Sequence, residues 1–119
     1  MVVFVFPQWW FGMSAILKGF VDRVFVPGVA FELDPEGGRL VPLLDRLKAF
    51  YVVTTTGSPR WVAELVMRNP VRRQISIGIR RFCSRTARFR MRSLYDLDRA
   101  SREKCAAFVA RVERDFSAL

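Results

Sequence analysis

Apolar residues follow one another without polar alternation over residues 2–6, and they then recur at helical spacing at Ile16, Leu17, Phe20, Val21 and Val24. The first pattern predicts a strand buried on both faces, as in a parallel sheet, and the second an amphipathic helix. Between them Pro7 ends the ladder, and Gly12 and Ser14 supply a turn and a helix N-cap. A second apolar run, residues 50–53, empties into a Thr- and Gly-containing loop. Downstream the pattern predicts a helix over about 59–81, broken near Asn69-Pro70, a strand around 88–95, and a last helix from Ser101 to about Leu119. Ser101 caps that helix, and Cys105, Phe108, Val109, Val112 and Phe116 fall at the spacing of one buried stripe. Residues 27–42 are the most irregular part, with Pro35-Glu36-Gly37-Gly38 as a strong turn signal.

Strand, loop and helix in this order predict an α/β architecture, in which ligands bind beyond the carboxyl ends of the strands. Two loops fall there. One is Pro7, Gln8, Trp9, Trp10 and Phe11, whose aromatic rings can stack on a planar ligand. The other is Thr54, Thr55, Thr56, Gly57 and Ser58, where Gly57 lets a ligand approach the backbone N–H groups closely.

The run Phe6-Pro7-Gln8-Trp9-Trp10-Phe11-Gly12-Met13-Ser14-Ala15-Ile16-Leu17-Lys18-Gly19-Phe20-Val21-Asp22-Arg23-Val24-Phe25, with Gly28-Val29-Ala30-Phe31 beyond it, resembles the NAD(P)H quinone oxidoreductase (DT-diaphorase-like) family of flavodoxin-like flavoproteins. The blocks Val52-Val53-Thr54-Thr55-Thr56-Gly57-Ser58-Pro59-Arg60-Trp61, Arg80-Arg81-Phe82-Cys83 and Leu94-Tyr95-Asp96-Leu97-Asp98-Arg99-Ala100 extend that resemblance over nearly the whole chain. It implies a flavodoxin-like open parallel sheet with flanking helices. The chain would supply strands 3, 4 and 5 of the order 2-1-3-4-5 and lack strands 1 and 2 with the phosphate-binding loop. The expectation is a single, N-terminally truncated domain over residues 1–119, whose first strand carries an exposed apolar edge.

The resemblance further implies a bound FAD or FMN held by the two loops, NAD(P)H as hydride donor, a quinone-like acceptor and a homodimer. A loop in the irregular segment would reach the active site. Larger members of the family place a Tyr and a His beside the flavin and have tyrosines where Phe31 and Leu33 fall, and this chain has none of these groups. No catalytic side chain is assigned on this basis. The alternative reading is a catalytically inactive half-domain that acts only by pairing with another chain.

Composition narrows the field. There is no histidine, which removes the usual neutral-pH general base, His-based triads and most catalytic metal sites, but leaves cofactor-borne hydride transfer intact. Two cysteines without a second pair exclude a zinc ribbon and read as buried reduced thiols of a cytoplasmic protein. Residues 1–17 are nearly uncharged, but no basic region precedes them and Pro7 and Gln8 interrupt them, so neither a signal peptide nor a membrane span is expected. Lys18 and Asp22 read as a helix-surface pair.

The net charge of +9 is concentrated in ten arginines between Arg60 and Arg92 that meet only Glu64. Three readings stand: a solvated or edge-protecting face with Arg88, Arg90 and Arg92 on one side of a strand, a grip on the 2′-phosphate of NADPH or another acidic small ligand, and nucleic acid. No nucleic-acid motif accompanies the run, and no nucleic-acid partner is expected.

Overall fold

A computed structural model describes residues 1–118, and the expected end of the last helix at Leu119 lies outside them. Three parallel strands, β1 (Val2–Pro7), β4 (Ala49–Thr55) and β5 (Arg88–Leu94), form one sheet in the order β1-β4-β5, with Phe4 opposite Val52 and Val52 opposite Met91. Helix α1 (Ala15–Val24) follows β1, and α4 (Arg102–Ser117) closes the chain. A short antiparallel pair, β2 (Phe31–Leu33) and β3 (Leu40–Pro42), occupies the irregular segment and flanks the Pro35-Glu36-Gly37-Gly38 turn. Each strand of that pair is three residues long, too short for any periodicity to announce it.

Between β4 and β5 the predicted helix is indeed interrupted before Pro70. A π-type turn over Val62–Val66 ends where Arg68 and Asn69 take left-handed backbone angles, φ 53° and 43°. The Asn69 side chain then caps α2 (Pro70–Arg73) by accepting the N–H of Arg72 at 3.1 Å. From there the chain stays helical through π-type turns at Gln74–Ile79 and α3 (Arg80–Cys83).

One face of the sheet is the core. Phe4 and Phe6, Phe50 and Val52 meet Val21 of α1 and the Val71, Ile75, Ile79 and Cys83 stripe of the second helical segment, with Phe89 and Met91 packed against them. Burial pushes the Cys83 thiol up to about 11, so it stays protonated and unreactive, while Cys105 is free and only half-buried.

The opposite face departs from expectation. β1 is buried on one side only, because none of the described residues covers Val3 and Val5, which is 73% exposed. Among the described residues β1 pairs with β4 alone, so its outer edge is free, as expected. Among the described residues α4 lies over this second face, through Asp115 on Tyr51, Arg90 and Arg92 and through Phe116 on the Tyr51 ring. Val109 is exposed rather than part of the stripe, and no residue of α4 is fully buried. Ser101 caps α4 by accepting the N–H of Lys104, whereas Ser14, at the cap position of α1, makes no such bond.

Candidate functional site

The two loops meet. At the carboxyl end of β1, Trp9 and Gly12 exchange backbone hydrogen bonds of 3.3 and 2.9 Å around Trp10 and Phe11, whose φ angles are 51° and 58°. Two consecutive left-handed residues define a type I′ turn, a geometry that normally selects Asn and Gly. Holding a tryptophan and a phenylalanine there costs about 1–3 kcal/mol each, the kind of strain that persists where function requires the side chains. Trp10 gains nothing from the core in return, being 96% exposed, and Trp9 is 66% exposed.

The Gln8 N–H donates to the Thr55 carbonyl at 2.8 Å and docks this turn on the loop after β4. That loop is fixed from the other side. Thr56 donates its N–H to the carbonyl of Leu94 and accepts the N–H of Leu97, the Thr56 hydroxyl takes the N–H of Ser58, and Ser58 accepts the N–H of Asp96. A Cβ on Gly57 would stand 2.8 Å from Oδ2 of Asp98, so a side chain there would push that carboxylate aside. The N–H groups of Trp10, Phe11 and Gly57 have no acceptor among the described residues.

Between the loops lies an open cavity of about 320 Å³. Pro7, Gln8, Trp9, Trp10, Phe11, Thr55, Thr56, Gly57 and Ser58 all line it, so nine of the ten residues expected at a ligand are brought together. The tenth, Thr54, is not in the lining. It sits in β4 opposite Phe6 and Ser93, is 1% exposed, and points with the core residues away from the cavity, because alternation along a strand sends neighbours to opposite faces.

Leu97 and Asp98 complete the lining and were not singled out from sequence. They follow β5, the third strand to end on this side, and that position was the available signal. Residues 27–42, expected to supply a loop reaching the site, contribute nothing to the lining among the described residues. Phe31 and Leu33 lie in β2, anchored instead through Ala30, whose carbonyl accepts the N–H of Leu43.

The arginine-rich segment divides by role. Arg80 ties helix to strand by donating to the carbonyls of Ser76 and Ala87. Arg72 lies over the Phe89 ring at 5.6 Å. Arg90 and Arg92 do share one face of β5, but they are neither simply solvated nor free for a ligand, since both pair with Asp115 of α4 at 3.0 and 2.6 Å. Tyr51 donates its hydroxyl to the same carboxylate at 2.5 Å. The Arg92 guanidinium, helped by the Tyr51 hydroxyl, holds Asp115 far below the usual carboxylate range. Burial, then the bond to Asp115, raises Tyr51. Lys18 and Asp22 form the expected surface pair at 2.6 Å.

Among the described residues no group of His, Cys, Asp or Glu could hold a metal ion, and no helix is long and apolar enough to cross a membrane.

A family model described as flavodoxin-like fold matches residues 1–113. The chain is 43% identical over 58 residues to ribosyldihydronicotinamide dehydrogenase (quinone) of Homo sapiens, a match covering 49% of this chain and 24% of that one. It is 42% identical over 52 residues to an FMN-dependent NADH:quinone oxidoreductase of Clostridium beijerinckii, covering 44% of this chain and 25% of the relative. Smu.1420 from Streptococcus mutans UA159, a solved structure, superposes with a TM-score of 0.82 at 26% identity over 98% of this chain and 60% of its own. The matches thus span about a quarter of these curated relatives and three-fifths of the solved one.

Proposed function

The chain belongs to the flavodoxin-like fold family, and from that premise we propose that its strand-end cavity holds the ring system of a flavin, FMN or FAD, in an NAD(P)H-dependent oxidoreductase with a quinone-like acceptor. One observation carries the reading. Trp10 and Phe11 are held in a strained left-handed turn at the mouth of a cavity, and Trp10 is left almost wholly in water, an expense that a planar ligand recovers by stacking. The names of the human and clostridial relatives point to the same chemistry.

The residues suit the group. Trp9, Trp10 and Phe11 offer apolar faces, the N–H groups of Phe11 and Gly57 offer donors to ring carbonyls, and Asp98 offers an acceptor for a ring N–H. When bound, the flavin supplies the two-electron chemistry, accepting a hydride from the nicotinamide and passing its electrons to the acceptor. The chain's own part is to bind the ring, orient it through fixed loops and shield one edge from water. The same reading makes the protein a homodimer acting in the cytoplasm.

The test is to titrate the purified chain with FMN and with FAD, then add NAD(P)H and a benzoquinone without oxygen. The expected result is uptake of a flavin whose visible absorbance bleaches with NAD(P)H and returns with the quinone. A folded chain that takes up neither flavin overturns the reading.

One observation favours the second reading, a chain that acts by pairing with another. The β1 edge is free and its Val3 and Val5 side chains are exposed. Assembly that is complete without flavin, in a chain that never binds flavin, is the outcome it requires.

A further inference from the structure

Away from the cavity, along the free edge of β5, a groove of about 880 Å³ gathers arginines from four separate elements. Arg60 comes from the turn after β4, Arg72 from α2, Arg92 from β5 and Arg111 from α4. Arg111 lies outside the arginine-rich run, and only the fold adds it. The one carboxylate in the lining, Glu64, is already occupied, since it accepts hydrogen bonds from the Asn69 amide and the Tyr95 hydroxyl.

Two of the four cations are held in place. Asp115 takes Nε and Nη2 of Arg92, and Phe89 stacks beneath Arg72. The other two, Arg60 and Arg111, enter none of the ion pairs or side-chain hydrogen bonds of the described residues. They also line a second hollow of about 310 Å³ that continues the groove toward Lys104. Beside the guanidinium groups stands Trp61, 62% exposed, with Leu65 and Met91 next to it.

Arg60 and Arg111 bring two positive charges to the groove with no carboxylate bonded to either among the described residues, an arrangement that an anion relieves, and arginine forks match phosphate oxygens in paired hydrogen bonds. A lone exposed indole on apolar neighbours offers a stacking platform for one aromatic ring. We propose that the β5-edge groove is a second binding site, for a nucleoside polyphosphate, with the base on Trp61 and the phosphates between Arg60 and Arg111. A nucleic acid would need further stacking platforms along its path, and the groove lining provides only Trp61 and the inward-bonded Tyr95. The inference does not rest on the flavin reading.

ATP titrated calorimetrically into the full chain at low salt tests it, with inorganic phosphate, adenosine and a single-stranded oligonucleotide as comparators. One ATP per chain is expected, with phosphate and adenosine each at least about tenfold weaker. The double variant Arg60→Ala/Arg111→Ala, which breaks no ion pair or side-chain hydrogen bond among the described residues, weakens ATP by about tenfold or more, and Trp61→Ala by about tenfold. Trp10→Ala, in the flavin cavity, leaves ATP binding unchanged. Circular dichroism checks that each variant is folded. ATP affinity that is unmoved in the double arginine variant, that is lost in Trp10→Ala, or that is surpassed by the oligonucleotide at equal phosphate concentration overturns the proposal.

Discussion

Phe50 and Tyr51 are neighbours in β4 and both are buried, yet they are held by different forces because alternation sends them to opposite faces of the sheet. Phe50 sits in a cluster of Phe, Val and Ile side chains drawn from the two outer helical segments and the strands, with the Phe4 ring 6.4 Å away. Tyr51 lies under α4, its ring 4.7 Å from Phe116 and its hydroxyl on Asp115. The first face depends on excluded water and close packing, which act at any pH. The second hangs on one carboxylate that three side chains share, so its strength depends on protonation state.

The largest effect that would separate the two faces is Phe50→Ala. Removing that ring leaves a cavity in a core with little room to collapse and is expected to cost about 3–5 kcal/mol, a large part of the stability of a domain this size. Loss of the cooperative denaturant transition at 25 °C, or a midpoint shift of that size, checks it. A shift as small as that of a surface substitution would show that the sheet's inner face is not the folding core.

A smaller effect, confined to the second face, comes from pH. Asp115 is depressed in the folded state, so its contribution is complete above the unfolded carboxylate value of about 3.9 and is lost as pH falls below that toward its folded value. Tyr51 is raised, so its contribution is complete below about 10 and is lost as pH rises above that. The α4 face is therefore expected to be tightest between those limits. Amide exchange in α4 should quicken at both ends of the range relative to exchange in β4, after correction for intrinsic rates. Asp115→Asn should weaken the face at neutral pH and remove most of the acid-side dependence. Parallel behaviour of α4 and β4 across pH would mean that one force holds both faces.

This contrast also explains what could be read from the residues in order. Phe4, Phe50 and Val52 declare themselves in unbroken apolar runs, and with them come the strands and the two loops of the cavity. The sharing of Asp115 by Arg90, Arg92 and Tyr51 does not, since Arg88, Arg90 and Arg92 alternate in the same way whether they meet water or a carboxylate on a distant helix. Val3 and Val5 mislead for the matching reason: an unbroken apolar run encodes two buried faces only where something covers both. The two loops that line the cavity were legible because loops at strand ends are fixed by topology. Thr54 is the last core-facing residue of β4 before the loop, and on a strand one step along the chain changes the face. Asp98 was overlooked because its nearness to Gly57 is a tertiary fact.

The smallest effect, and opposite in sign, is expected at a residue that packs on neither face. Trp10 is held at φ 51° with nearly all of its surface in water, so the folded chain bears the strain without a compensating contact. Glycine at this position accepts the left-handed angle freely, although it gives back part of the gain through the greater freedom of the unfolded chain. Trp10→Gly is therefore expected to stabilise by about 1 kcal/mol or less, read as a small rise in denaturant midpoint with an unchanged slope. The same variant should bind FMN and FAD at least about tenfold more weakly, because the stacking surface is gone. Stability and binding that move in opposite directions on one substitution would mark the turn as retained for a ligand rather than for the fold. A loss of stability instead would mean that the indole packs on the neighbouring loop, and the argument from strain to function would fail with it.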